Sequence, residues 1–439
     1  MEFSSETIRR FRLHSHHLDQ KLPFERLTEA AGACGLQNSP PGAWETAMFH
    51  RLEGCTLEGL KDALYAQKTL LQAWSFRGVP AVFPTAQRDV FLTALKALPD
   101  EQPWIYTRGI TAALDFLGMD FFELLPLVEH AASSLDGRFV RTKELLDQTL
   151  ADLILPELPP EKRPLWNAPS MYGRPERQTV GGAAVSFLLR PCSFSSLVVF
   201  GERQGSSPVF TSAKTWLEGT PFSQSPSFEP AQQELARTQQ MLAKTQQELV
   251  RTQQMLAKTQ QELVRKFLRC YGPSTRSSFE SWLGCSPAQG RRLWNGLASE
   301  MTEVTVNGKK SWLLTEDLPS LLEIRQSFAD GSAPAPERLL LLGPHDPWLD
   351  LRDREIILPE KALHRLVWKT VANPGAVAKG GRIVGVWNSR TRKDGLEISL
   401  NLWNDLPREQ LQTLKEQAKE YASFRLLPLL RYTVNSSFS

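Results

Sequence analysis

Between residues 231 and 265 the chain repeats one seven-residue pattern five times: AQQELAR, TQQMLAK, TQQELVR, TQQMLAK, TQQELVR. Leu235, Leu242, Leu249, Leu256 and Leu263 recur at heptad spacing, with Thr238, Thr245, Thr252 and Thr259 at the alternating offset. Gln, Leu, Ala, Glu, Lys and Arg without Gly or Pro favour helix strongly. The pattern therefore predicts a long helix, ~60 Å over 231–270 if straight. Leu alternating with Thr makes a weak coiled-coil seam, because half of its core positions are polar. The stretch 238–251 recurs identically at 252–265, so a change by whole units preserves heptad phase and alters only helix length.

Beyond the repeat, Ser274 is positioned to cap a helix ending at Gly284, and Ser286 a second one with Pro287 in its first turn. TEVTV and KKSWLL alternate around Asn307-Gly308, a strong hairpin signal. Helix, helix, helix and hairpin is the order of a winged helix, in which the third helix enters a nucleic-acid groove and the hairpin touches backbone. On that reading Gln289, Arg291, Arg292 and Asn295 face the groove, and Lys309 and Lys310 sit at the hairpin tip. The same order is expected at 24–33, 40–52 and 57–67, followed by TLLQAWSF, Arg77-Gly78 and VPAVF. It is expected again at 121–134, 142–155 and 178–189, followed by SSLVVFGERQGSSPVFTSA, with Gly181-Gly182 inside the third helix. The stretches 156–177 and 219–230 read as loops. From 337 onward RLLLLG, REIIL, GRIVGVW and GLEISLNLW read as strands, and 360–370 and 408–424 as helices.

The fold class expected is thus α+β: three tandem winged-helix units, a long heptad-repeat helix and a C-terminal, β-rich α/β region. The segments are 1–100, 101–230, 231–265, 266–330 and 331–439.

Composition narrows the function. The 439 residues are 41% hydrophobic and 23% charged, which excludes a wholly disordered chain. No stretch approaches the ~18 consecutive apolar residues of a membrane span, and the first twenty residues lack the apolar core of a secretory signal. A cytoplasmic, nucleoid-associated protein is expected. Five cysteines without a CxxC pair argue against a disulfide scaffold or a zinc ribbon. Net charge is only +3, but 231–270 carries seven Lys/Arg against three Glu, leaving the rest of the chain close to neutral. The basic stripe Arg237, Lys244, Arg251, Lys258 and Arg265 is either a solvated helix face or a rail for nucleic acid. Arg265, Lys266 and Arg269, just before Tyr271-Gly272-Pro273, are the better phosphate candidates, because there the helix meets the third unit.

FLRCYGPSTRSSFESWLG, VNGKKSWLL, LLLLGPHDPWLDLRDRE and GRIVGVWNSR resemble blocks of the bacterial winged-helix DNA-binding proteins that include the AlkZ-like (YcaQ-like) DNA glycosylases. GLQNSPPGAWETAMFHR and WSFRGVPAVF are similar to two further blocks. The resemblance implies winged helices around a DNA-sized channel and excision of alkylated purines, in some members with unhooking of interstrand crosslinks. It implies no metal and no organic cofactor. The family motif, Gln–apolar–Gln/Asp, falls on Gln37, Asn38 and Ser39, so only the first Gln is kept and Ser39 is the departure. Hydrolysis at a cationic N7-alkylated purine already has a good leaving group. The protein has to place a water below the anomeric carbon and tolerate positive charge on the sugar. Gln37 suits the first task; Ser39, the second catalytic candidate, is shorter by two heavy-atom steps and would reach the water poorly. Ser39 ahead of two prolines is alternatively a helix N-cap, and Gln37 an ordinary loop residue. Arg77 matches a family arginine facing the DNA groove, or is simply a surface turn residue.

His14, His16 and His17 have too few neighbours for a metal site. His345-Asp346, with Asp353 and Arg354, reads as structural, since no nucleophile motif accompanies it. Gly380-Gly381 reads as a hairpin turn, and Trp44, Trp74, Trp282, Trp294 and Trp312 as core. The chain is expected to bind damaged double-stranded DNA and to self-associate weakly, if at all, through 231–265. Three functions stay open: a monofunctional glycosylase using Gln37, a catalytically inactive DNA binder or regulator, and an interaction protein working through the repeat.

Overall fold

The structure is a computed structural model and describes residues 1–102, 108–172, 176–205, 207–223, 238–332 and 338–436. In chain order its strands are β1 (Glu2–Phe3), β2 (Leu36–Gln37), β3 (Leu70–Trp74), β4 (Pro80–Pro84), β5 (Val140–Arg141), β6 (Val199–Phe200), β7 (Val209–Thr211), β8 (Met301–Val306), β9 (Lys309–Leu314), β10 (Leu339–Leu342), β11 (Gly375–Lys379), β12 (Arg382–Arg392), β13 (Gly395–Leu402) and β14 (Leu429–Ser436). Among the described residues these form three sheets: β1-β8-β9, β2-β4-β3-β6-β7-β5, and β10-β11-β12-β13-β14. With the helices packed between them, the chain is a mixed α+β protein.

The first two hairpins do not stand apart. The backbone of Gln72 on β3 pairs with Phe200 on β6, which fuses them into one six-stranded sheet. In the second segment the Phe121–Ser133 and Lys143–Ile154 helices form where their apolar periodicity places them, and the third, Val180–Phe194, runs past the end expected at 189. Gly181 is needed there because a Cβ would lie 2.2 Å from the ring of Trp166. The third hairpin turns at Asn307-Gly308 with φ of 49° and 74°, the left-handed pair of a type I′ turn. Ser286 caps the Pro287–Asn295 helix by accepting from the Gln289 N–H. Ser274 is not a cap: Thr275 caps the Arg276–Leu283 helix, while the Ser274 backbone pairs with Trp312.

The repeat is helical from Thr238 to Tyr271, about 50 Å of rise; 231–237, with Leu235 and Arg237, lies outside the described residues. Its C-terminal turns bury Leu263, Val264, Phe267, Leu268 and Tyr271 against Phe76, Phe91, Trp282 and Trp294. Upstream, Arg251 and Lys258 are exposed.

Residues 1–18, assigned to the first segment on sequence grounds, pack elsewhere. β1 adds to β8 in parallel, and Phe3, Ile8, Phe11 and Leu13 join a core with Leu313, Leu340 and Trp348. In the C-terminal region REIIL is not a strand; Arg354–Ile356 is a 3-10 turn, bonded back to the preceding loop through Asp353. The helix expected at 360–370 shrinks to a turn and four residues, His364–Val367. β11 and β14 complete the sheet, and the Arg408–Phe424 helix carries the chain from β13 to its parallel neighbour β14. Gly380-Gly381 is the β11–β12 turn.

One buried link fixes the loop after β10. Arg51, on the Ala43–Arg51 helix, donates from both Nη atoms to Asp346 at 2.8 Å each, with neither side chain more than 2% exposed.

Candidate functional site

Gln37 ends the short strand β2, pairing with Ala81 of β4. The next residue leaves the sheet, and the Asn38 carboxamide oxygen accepts from Gly42 N–H at 2.7 Å, closing the turn into the Ala43–Arg51 helix. That helix begins on Gly42 with no side-chain cap, so Ser39 is not an N-cap. Ser39 precedes a cis peptide to Pro40. Its carbonyl oxygen accepts from Gln37 Nε2 at 2.8 Å, so it is the backbone of position 39, not its hydroxyl, that engages Gln37.

Arg77 faces Gln37 from the turn between β3 and β4, with φ of 56°. Its guanidinium reaches three chain segments. Nη1 donates to Trp282 O at 3.0 Å; Nη2 donates to Gln37 Oε1 at 3.2 Å and to Asp350 Oδ2 at 3.0 Å. It also lies over the ring of Phe76, itself stacked on Trp282. Arg77 is 18% exposed and Asp350 13%, so this ion pair is largely withdrawn from water. Gly284 closes in behind, where a Cβ would stand 2.9 Å from Arg77 Cα. Burial pushes the Asp350 carboxyl above its ordinary range, against the downward pull of Arg77 and His345. Burial likewise lowers His345.

An amide offers two N–H donors and two acceptor lone pairs. Gln37 is 8% exposed and uses one donor on Ser39 and one lone pair on Arg77. Its orientation is therefore set, with one N–H and one lone pair left for a small polar molecule such as water. Asp350 is the residue sequence reasoning missed. It lies in a loop with no periodic pattern, and only a contact to a position 273 residues away picks it out.

The groove candidates divide. Gln289 is inward, 2% exposed, donating to Leu95 O at 2.9 Å; it lies four residues before core Leu293 and so on the same helix face. Arg292 is held by Glu101 and Gln260, at 2.6 and 2.8 Å. Lys266 donates to Gly32 O at 2.6 Å, with its pKa lowered by burial. Thus Gln289 and Lys266 are committed to the interior rather than to a groove. Arg265 is clamped by Glu262 and Glu300, and Arg269 pairs with Glu316. Arg291 and Asn295 are exposed. Lys309 and Lys310 are about three-quarters exposed and meet Glu355 and Glu303 at 3.4 and 3.0 Å.

His16 is buried, bonded to Cys270 O, and His14 pairs with Asp19. Among the described residues no His/Cys/Asp/Glu group is placed to hold a metal, and no helix is long and apolar enough to cross a membrane.

Residues 30–424 match the family described as DNA glycosylase AlkZ-like. An interstrand DNA cross-link repair glycosylase of Streptomyces sahachiroi is 23% identical over 333 residues, 73% of this chain and 71% of that protein. The structure of the Streptomyces sahachiroi DNA glycosylase AlkZ superposes with a TM-score of 0.67 at 18% identity, covering 99% of this chain and all of that one. With nine-tenths of its length inside the match, the chain belongs to the AlkZ-like DNA glycosylase family.

Proposed function

We propose that this protein hydrolyses the N-glycosidic bond of N7-alkylated purines in duplex DNA, including purines tied into interstrand crosslinks, with Gln37 holding the attacking water. The observation that carries the reading is the fixed amide: Nε2 on Ser39 O and Oε1 under Arg77 leave one donor and one acceptor for the water. In the reaction the water oxygen bonds to C1′ as the C1′–N9 bond breaks. The bonding pair passes into the cationic purine, which leaves neutral, and the water surrenders a proton to solvent. Such a step gains from a positioned water and needs no metal. The crosslink substrate follows the name of the Streptomyces relative.

We read the three helix-and-hairpin segments as tandem winged helices along the duplex. The exposed Arg291, Asn295, Lys309 and Lys310 then meet phosphates, and the heptad helix supplies weak self-association at most. The departure at Ser39, whose side chain cannot share the water, favours a second reading, a DNA binder without excision. Incubation with a duplex carrying N7-methylguanine, followed by alkaline cleavage of abasic sites, separates the two. Strand breaks above a protein-free control are expected; their absence, with DNA binding intact, leaves the binder.

A further inference from the structure

An arginine is an awkward neighbour for chemistry that builds positive charge. Arg77 Nη2 stands 3.2 Å from Gln37 Oε1, so a water held by that amide places the sugar within a few ångströms of a full cation. Both the lesion and the sugar at the transition state are themselves cationic. Ser39 brings no charge to offset this. The same Nη2 atom, however, is 3.0 Å from Asp350 Oδ2, in a pair less than one-fifth exposed on either side. With Asp350 ionised the Gln37–Arg77–Asp350 group is neutral; without it the group carries +1 beside the reacting carbon.

We propose that Asp350 is the positioning and charge-balancing residue of this site, its carboxylate cancelling Arg77 so that the cationic sugar is tolerated where Ser39 supplies nothing. The inference rests on the reading of Gln37 as the water-holding residue. It assigns Arg77 an inward role, fixing the Gln37 amide, in place of a groove contact. Asp350 comes from the loop held by the Arg51–Asp346 pair, so its placement is inherited from the core rather than from the motif strand. A unit charge ~6 Å away, at an effective dielectric near 20, changes the stability of a cation by about 100-fold.

The test uses two duplexes that mimic the reacting sugar, one with a protonated pyrrolidine at an abasic position and one with a neutral tetrahydrofuran. The readout is the ratio of their affinities for the full-length chain. Asp350→Asn is expected to cut the preference for the cation, read as the ratio of the two affinities, about 100-fold. Arg77→Gln alone is expected to raise that preference, and the double variant to return it to within about threefold of wild type. Unfolding curves for each variant confirm the fold, and should Asp350→Asn fail to fold, the rise in Arg77→Gln carries the test. An unchanged ratio in both single variants, or an equal loss for the two duplexes, overturns the proposal. Failure of wild-type protein to release N7-methylguanine would instead count against the excision reading, and the affinity ratio would still decide the charge balance.

Discussion

Arg51 and Asp346, 295 positions apart, meet through two parallel 2.8 Å hydrogen bonds in the interior of the protein. Asp346 also accepts from Trp348 N–H, and the Arg51 guanidinium holds its carboxyl below the usual range. The pair ties the helix that follows Gln37 to the loop that delivers Asp350. Asp346→Ala leaves a buried guanidinium without its counter-charge, and the expected loss is about 3–5 kcal/mol of stability, measured by urea unfolding at neutral pH. A loss below about 1 kcal/mol would mean that water or another group replaces the carboxylate.

Acid should destabilise the fold from about pH 6.5 downward, where histidines buried in the neutral form begin to charge in the unfolded chain. His16 and His50 are both fully buried, and burial lowers each to about 3. A histidine whose folded pKa is depressed stabilises above its unfolded pKa, near 6.5, and that stability is lost as pH falls toward the folded value. The unfolded state binds more protons throughout that window, so each histidine removes up to about 1.4 kcal/mol per pH unit. Melting temperatures from pH 7.5 down to 5 should fall steadily below about 6.5. A flat profile there contradicts neutral burial.

Gly284 ends the Arg276–Leu283 helix with φ of 74°, and its missing Cβ makes room for Arg77 Cα. Gly284→Ala meets both the left-handed penalty, about 1–2 kcal/mol, and a collision with the Arg77 backbone. The expected outcome is a lowered melting point together with slowed base excision in the protein that remains folded. Normal excision would show that the arginine does not need this placement.

How legible this was depends on distance along the chain. Asn307-Gly308, Ser286-Pro287 and the 408–424 helix are set by neighbours within a turn or two, and they form where the pattern places them. REIIL has strand composition, but its backbone is bonded into turns and its apolar side chains enter a core shared with the N-terminal helix. Gln37 was recognisable from a motif. What it touches was not, because Arg77 lies 40 positions away and the Asp350 contact to Arg77 spans 273. Gln289 misled for the opposite reason: its residue type suits base reading, whereas its helix face is the one carrying Leu293 into the core.

The repeat offers a length experiment. Leu263 is fully buried, whereas Val250 is half exposed and Arg251 and Lys258 face solvent. Deleting 238–251 keeps heptad phase and the buried turns from Leu263 to Tyr271, so unfolding free energy should change by less than about 0.5 kcal/mol, as for surface changes. Leu263→Ala should cost about 2–5 kcal/mol. Sedimentation of the deleted and intact chains checks self-association: a mass difference beyond the removed residues assigns it to the repeat, and two monomers exclude it.

The most direct measurement is the single-turnover release of N7-methylguanine from duplex DNA by wild-type and Gln37→Ala protein, with DNA affinity measured alongside. Removal of a group that positions the reacting water should slow release by about 10²–10⁴-fold while the dissociation constant stays within a few-fold. Release at the wild-type rate by Gln37→Ala would contradict the assignment of Gln37 as the residue that holds the water.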